Sequence, residues 1–87
     1  MTYRVMVPPH VEEQISKFHP LLKTKIRMAF DHLAQHPFEG KPLKEDLAGF
    51  YSYRVARYRI VYSIHRSVLE IHVVALGHRR IIYQTLA

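Results

Sequence analysis

The sequence predicts an α+β fold: a helical hairpin packed on one face of a mainly antiparallel, twisted sheet, in the order β-α-α-β-β-β. Two observations carry this. Apolar residues recur at helical spacing from Val11 to Leu33, then at alternate positions from Tyr51 to about Leu76, periods of about 3.6 and 2 residues. Between them, residues 37–49 read "PFEGKPLKEDLAG", with two prolines and two glycines, which marks a long connection. Helices grouped ahead of the strands, not alternating with them, belong on one side of an antiparallel sheet. The 87 residues suit one domain, 1–87, that buries roughly 60–65% of its extended surface.

The elements follow in order. Tyr3 to Val7 is an apolar-rich run stopped by Pro8-Pro9, a first strand, and proline is well placed to start the next helix. Val11, Ile15 and Phe18 then share a face, with Glu12 and Glu13 in the first turn, where the helix dipole favours acids. His19-Pro20 breaks that helix and starts another, on which Leu22, Ile26, Ala29, Phe30 and Leu33 share a face. His36-Pro37 ends it, because the residue before proline is steered out of helical geometry. Three strands are expected near 50–55, 58–65 and 68–76, and the tail "RRIIYQTLA" as a short helical turn or an extended end.

Two hairpin turns set the strand register. With Ala56-Arg57 as a two-residue turn, Val55 opposes Tyr58, Arg54 opposes Arg59 and Tyr53 opposes Ile60. With Arg66-Ser67 as the next, Ile64 opposes Leu69, Tyr62 opposes Ile71 and Ile60 opposes Val73. Both registers gather Tyr51, Tyr53, Val55, Tyr58, Ile60, Tyr62, Ile64, Leu69, Ile71 and Val73 on one face, which meets the helices. Ser52, Arg54, Arg59, Val61, Ser63, His72 and Val74 fall on the other, expected to be uncovered. Like charges directly opposite destabilise a sheet, so Arg54 beside Arg59 implies an anion to hold.

Charge is distributed unevenly. Residues 1–49 hold seven Lys/Arg against six Asp/Glu, whereas residues 50–87 hold six Arg, no Lys and one acid, Glu70. Positive charge gathered in one half implies an anionic partner, and arginine favours planar contacts to phosphate or carboxylate. Cysteine is absent, which excludes disulfides and thiolate chemistry and fits a reducing cytoplasm. With no long apolar run or leader, an unexported protein without membrane contact is expected. His32 and His36 have a metal-compatible spacing but no HExxH arrangement, and neither metal nor cofactor is expected.

The stretch "LAGFYSYRVARYRIVYSIHRSVLEIHVVALGHRRIIY" resembles the RelE/ParE superfamily of bacterial and archaeal toxins over residues 42–83, and the order of the first 37 residues agrees. Members carry Gly-Asp where Ala56-Arg57 stands here. The resemblance implies the RelE-like microbial RNase fold and the toxin of a type II toxin–antitoxin system. In the RelE branch that toxin is a metal-independent endoribonuclease (an mRNA interferase) cutting messenger RNA in the ribosomal A site. There the ribose 2′-hydroxyl attacks the adjacent phosphate and the 5′-oxygen leaves. The ParE branch instead inhibits DNA gyrase, and a weakened homologue would only bind its antitoxin. The implied partners are a cognate antitoxin with an acidic binding segment, the ribosome and its mRNA, with DNA reached only through the antitoxin.

Carried over by position, Arg54 occupies a Lys/Arg site of the nucleases, and Ser52 stands where they have another cation. Arg59 matches the phosphate-binding arginine, and Arg79 the general acid or transition-state stabiliser. Tyr83 matches the tyrosine that stacks on a base or orients the 2′-hydroxyl. Arg57, His72, Arg80 and Ser52 complete the expected RNA-facing set. Arginine stays protonated and is a poor general base, so His78 is the first candidate for that role and His72 the second.

Overall fold

The computed structural model of the chain describes residues 2–79, 82 and 83. Its elements are β1 (Arg4–Met6), α1 (Pro9–Ser16), α2 (Pro20–Gln35), β2 (Lys41–Pro42), β3 (Phe50–Val55), β4 (Tyr58–His65) and β5 (Glu70–His78), with 3-10 turns at Pro37–Glu39 and Glu45–Leu47. They form one sheet in the order β1-β5-β4-β3-β2. Only β1 runs parallel to its neighbour. The expected α+β architecture is present, with β2 as an addition that its two residues, one a proline, did not reveal.

Local chemistry sets the helices. Pro9 and Pro20 occupy helix starts, where the missing amide costs nothing. His19 caps α2, its Nδ1 accepting the Leu21 amide at 3.2 Å. Val11 and Ile15 of α1 and Ile26, Phe30 and Leu33 of α2 pack against Ile60, Tyr62, Ile71, Val73 and Leu76, all buried.

The β3–β4 hairpin has the expected register, with Arg54 opposite Arg59. Ala56 takes φ 55° at its turn, a conformation that costs a residue with a Cβ about 1–2 kcal/mol. The β4–β5 turn corrects the expectation. It spans Arg66 to Leu69, so Ile64 pairs with Ile71 and Tyr62 with Val73. The slip is by two residues, which keeps Ile71, His72 and Val73 on their assigned faces, while Leu69, expected opposite Ile64, lies in the turn at φ 53°. A bulge beside Val61/Tyr62 then sets Val61 opposite Ala75 and Arg59 opposite Gly77. The extra residue, Val74, reverses the alternation beyond it. Leu76 therefore enters the helix-side core, and Gly77 shares a face with Arg59.

The second face is not left open, as had been expected. Val61 (0% exposed) and Ala75 are buried there with Ile82, against Leu43, Phe50 and Val74. Tyr62 ties down the connection that supplies Leu43. Its hydroxyl donates to the Pro37 carbonyl at 2.8 Å and accepts the Gly40 amide at 3.0 Å. A Cβ on Gly40 would meet that hydroxyl at 2.4 Å, so the close approach requires glycine. Burial pushes the Tyr62 phenol up to about 12.

Candidate functional site

A cleft of about 630 Å³ opens on the second face, lined by Lys41, Pro42, Leu43, Lys44, Arg59, Arg79 and Tyr83. Among the described residues four cations and a phenol line it, and no carboxylate does. Three separate segments meet there. The β2 pairing sets Lys41 beside Ser52, the bulge turns Arg79 toward the Arg59 face, and Ile82 anchors the helical turn that carries Tyr83. Arg79 is also fixed through its backbone, its amide donating to the Arg57 carbonyl at 2.9 Å.

Ser52 organises the floor. It is 2% exposed, and its Oγ accepts from Arg59 Nη1 and from the Tyr83 hydroxyl, each at 3.1 Å. A neutral acceptor orients the guanidinium without cancelling its charge. Ser52 is thus too buried to form part of the RNA-facing surface expected of it. Lys41, on the neighbouring strand, is the register partner of Ser52 and lines the cleft.

The remaining expected residues lie elsewhere. Arg54 is Arg59's cross-strand neighbour, but its Nε donates to the Ala56 carbonyl at 3.1 Å, and it lines a different groove, beside α2. Arg57 is exposed in the turn. His78 pairs with Tyr58, its ring 6.0 Å from that of Tyr58, and it lines a cavity with His10 and Phe18 on the helix side. The reversal after Val74 is the reason: it turns Arg79 toward the cleft and His78 away.

His72 is at the far end of β5. It hydrogen-bonds Glu70 at 2.8 Å and stacks on His65 at 3.9 Å between ring centroids. The Glu70 carboxyl is held below its usual range, first by His72 and then by Arg4. Neither histidine offered as the base is therefore among the cleft residues. Arg80 lies outside the described residues. Lys41 and Lys44 were missed because they fall in a stretch read only as connection; two lysines flanking Pro42-Leu43 just ahead of the hairpin were the available signal.

The His32 and His36 rings lie 4.9 Å apart, and His32 also contacts Glu39 at 3.8 Å. Among the described residues no helix is long and apolar enough to cross a membrane.

The helical hairpin on a five-stranded sheet, with its cation-lined cleft, is assigned to a family by sequence comparison. Residues 10–83 match the family of the ParE toxin of the type II toxin-antitoxin system, parDE. The chain belongs to that family, within the RelE/ParE superfamily. Toxin RelG of Mycobacterium tuberculosis is 31% identical over 86 residues, which span 97% of this chain and 99% of that protein. Among solved structures, the chain resembles one in the toxin–antitoxin complex RelBE2 from the same organism, with TM-score 0.80 and 28% identity over 91% of this chain and 100% of the other. The archaeal RelE–RelB complex from Pyrococcus horikoshii gives TM-score 0.76 and 24% identity over 91% and 97%, a likeness of fold.

Proposed function

We propose that this chain is the toxin of a type II pair and acts in the cytoplasm as a ribosome-dependent mRNA endonuclease. The observation that carries the reading is the convergence of Arg59, Arg79, Lys41, Lys44 and Tyr83 on one cleft that no carboxylate lines among the described residues. In the reaction the 2′-hydroxyl loses its proton and attacks the adjacent phosphorus. Negative charge builds on the phosphoryl oxygens, and the 5′-oxygen leaves with a proton. Fixed cations around the phosphorus favour that transition state over the substrate. Arg59, held by Ser52, grips the phosphate; Arg79 stabilises the transition state; Tyr83 stacks on a base or orients the 2′-hydroxyl. The proton acceptor is to be sought among Lys41, Lys44 and Tyr83, the titratable lining groups besides arginine.

A cognate antitoxin neutralises the toxin, in keeping with the complexes formed by the RelBE2 and archaeal relatives, and DNA is reached only through it. The test is programmed-ribosome cleavage: purified protein, ribosomes and a short message, with and without an exposed A-site codon, read by primer extension. Cuts confined to the A site are expected.

A second reading, a ParE-like gyrase inhibitor, draws on one observation: among the described residues no imidazole or carboxylate lines the cleft. Uncut message together with inhibited gyrase supercoiling would establish it. A chain that does neither yet binds its antitoxin would be a weakened homologue.

A further inference from the structure

Beyond Val61, at the end of the sheet away from the cleft, the second face carries two rows of side chains set abreast by strand pairing. Phe50, Ser63, His72 and Met6 form one row across four neighbouring strands. His65, Glu70 and Arg4 form the next, across three of them. Met6 and His65 are exposed, Phe50 and Ser63 are half-buried, and the His72 side chain is 42% exposed.

The rows hold flat rings in place. The His65 and His72 rings stack at 3.9 Å between centroids, 28° from parallel. Each is also fixed at its edge. His65 Nε2 hydrogen-bonds the Ser63 hydroxyl at 2.9 Å, and His72 Nε2 hydrogen-bonds Glu70 at 2.8 Å. Arg4 meets the same carboxylate from the neighbouring strand.

We propose that these rows are a stacking platform for unpaired bases of the RNA whose phosphate the cleft holds. The inference rests on the RNA-cutting reading and extends its site along β4. Ser63 and His65 follow Arg59 by four and six residues on the same strand and face, about 13 and 20 Å along it. A stacked single strand, at about 3.4 Å per nucleotide, covers that span in about four to six nucleotides. Three features select a base as the occupant. Every base has a π-face, and aromatic side chains standing on a sheet surface are a recurrent support for single strands. The acid in the rows, Glu70, is met by Arg4 and His72, so the platform adds no net repulsion of phosphate. A protein partner's apolar core suits this surface less, because Ser63 and His72 separate Phe50 from Met6.

The probe is octaadenylate with 2′-O-methyl riboses, which lack the attacking hydroxyl. It is titrated into the full chain while the imidazole Cε1–H resonances of His65 and His72 are followed. Upfield ring-current shifts are expected at both. An abasic octamer carries the same phosphates and should leave the imidazoles unmoved, although amides at residues 41–44 still respond. His65→Ala should weaken octaadenylate binding about tenfold, and His65→Phe should restore it, with the rest of the amide spectrum unchanged in both. That loss should be the same at about 50 and about 200 mM salt, whereas the loss from Arg59→Ala should shrink as salt rises. The proposal is overturned by unmoved imidazoles at about 1 mM octaadenylate, or by equal shifts with the abasic octamer. An acidic peptide moving these resonances where RNA does not would reassign the rows to a protein partner, and shifts that grow with protein concentration alone would reassign them to a second copy. No ribosome enters this experiment. Message cut in the A site while the imidazoles stay still removes the platform alone; imidazole shifts without any cut message keep the platform and remove the cutting.

Discussion

Arg4 and Arg59 are carried by the same sheet and meet opposite conditions. Arg4 reaches across from β1 to the Glu70 carboxylate, which also holds His72. Arg59 is oriented by the hydroxyl of Ser52. The first cation is neutralised by an acid, while the second is positioned and keeps its charge. A count of basic residues treats the two alike; only the identity of each partner separates a strand clip from a place where an anion can bind.

The largest expected effect follows from that contrast. Arg59→Ala should lower ribosome-dependent cleavage about 100-fold, as expected for removal of one fixed transition-state donor, and Arg79→Ala at least about tenfold, with both variants folded by circular dichroism. Arg4→Ala should leave cleavage unchanged. An equal loss from Arg4→Ala would erase the distinction between the two arginines.

Next in size is Tyr62→Phe, which strips partners from the Pro37 carbonyl and Gly40 amide. It should cost about 1–3 kcal/mol in urea unfolding. It tests whether the cleft depends on a connection that the Arg4 region lacks. The wild-type phenol adds a pH signature. Its folded value is raised from 10.0 to about 12, so its contribution to stability is complete below pH 10 and is lost as pH rises from 10 toward 12. The phenylalanine variant should lack that alkaline loss.

Ser52→Ala sharpens the comparison directly, because it removes the neutral acceptor shared by Arg59 and Tyr83. Cleavage should fall about tenfold, a loss of orientation while the charge remains. An unchanged rate would mean that Arg59 needs no positioning. The smallest effect belongs to the neutralised end. Glu70 titrates below its usual range, so its contribution is present above the ordinary glutamate value and is lost as pH falls through the lowered one. Arg4→Ala should move that loss slightly toward higher pH, seen as a shift in the acid unfolding midpoint.

Much of this fold could be read from periodicity. Val11, Ile15, Ile26, Phe30 and Leu33 mark the helix faces, and the alternation from Tyr51 to Ile64 marks the hairpin with its register. Arg59 was marked by the hairpin register and then by resemblance, Arg79 and Tyr83 by resemblance alone, and the three meet in one cleft. What stayed hidden has physical causes. The two residues of β2 are too few to show a period, so Lys41 and Lys44 looked like linker. The four-residue turn from Arg66 to Leu69 contains no glycine or proline to mark its length. Val74 looks like any strand residue, since nothing in a β-branched side chain announces a bulge. Cover over the second face comes from Leu43 and Ile82, both distant in sequence from Val61.

The extra residue at Val74 has a consequence for how this toxin could change over time. From that point onward the strand has two possible assignments of side chains to faces, and one added or lost residue switches between them. Losing Val74 itself would only straighten the strand and leave later side chains on their present faces. Losing one residue of the regular ladder beyond it, between Ala75 and Gly77, would present an imidazole to the cleft and send a guanidinium toward the helices, with no side chain replaced at either position. A lineage could thus exchange a permanent cation for a titratable group in one step, and insertions or deletions near this point alter chemistry where they look like mere changes of length.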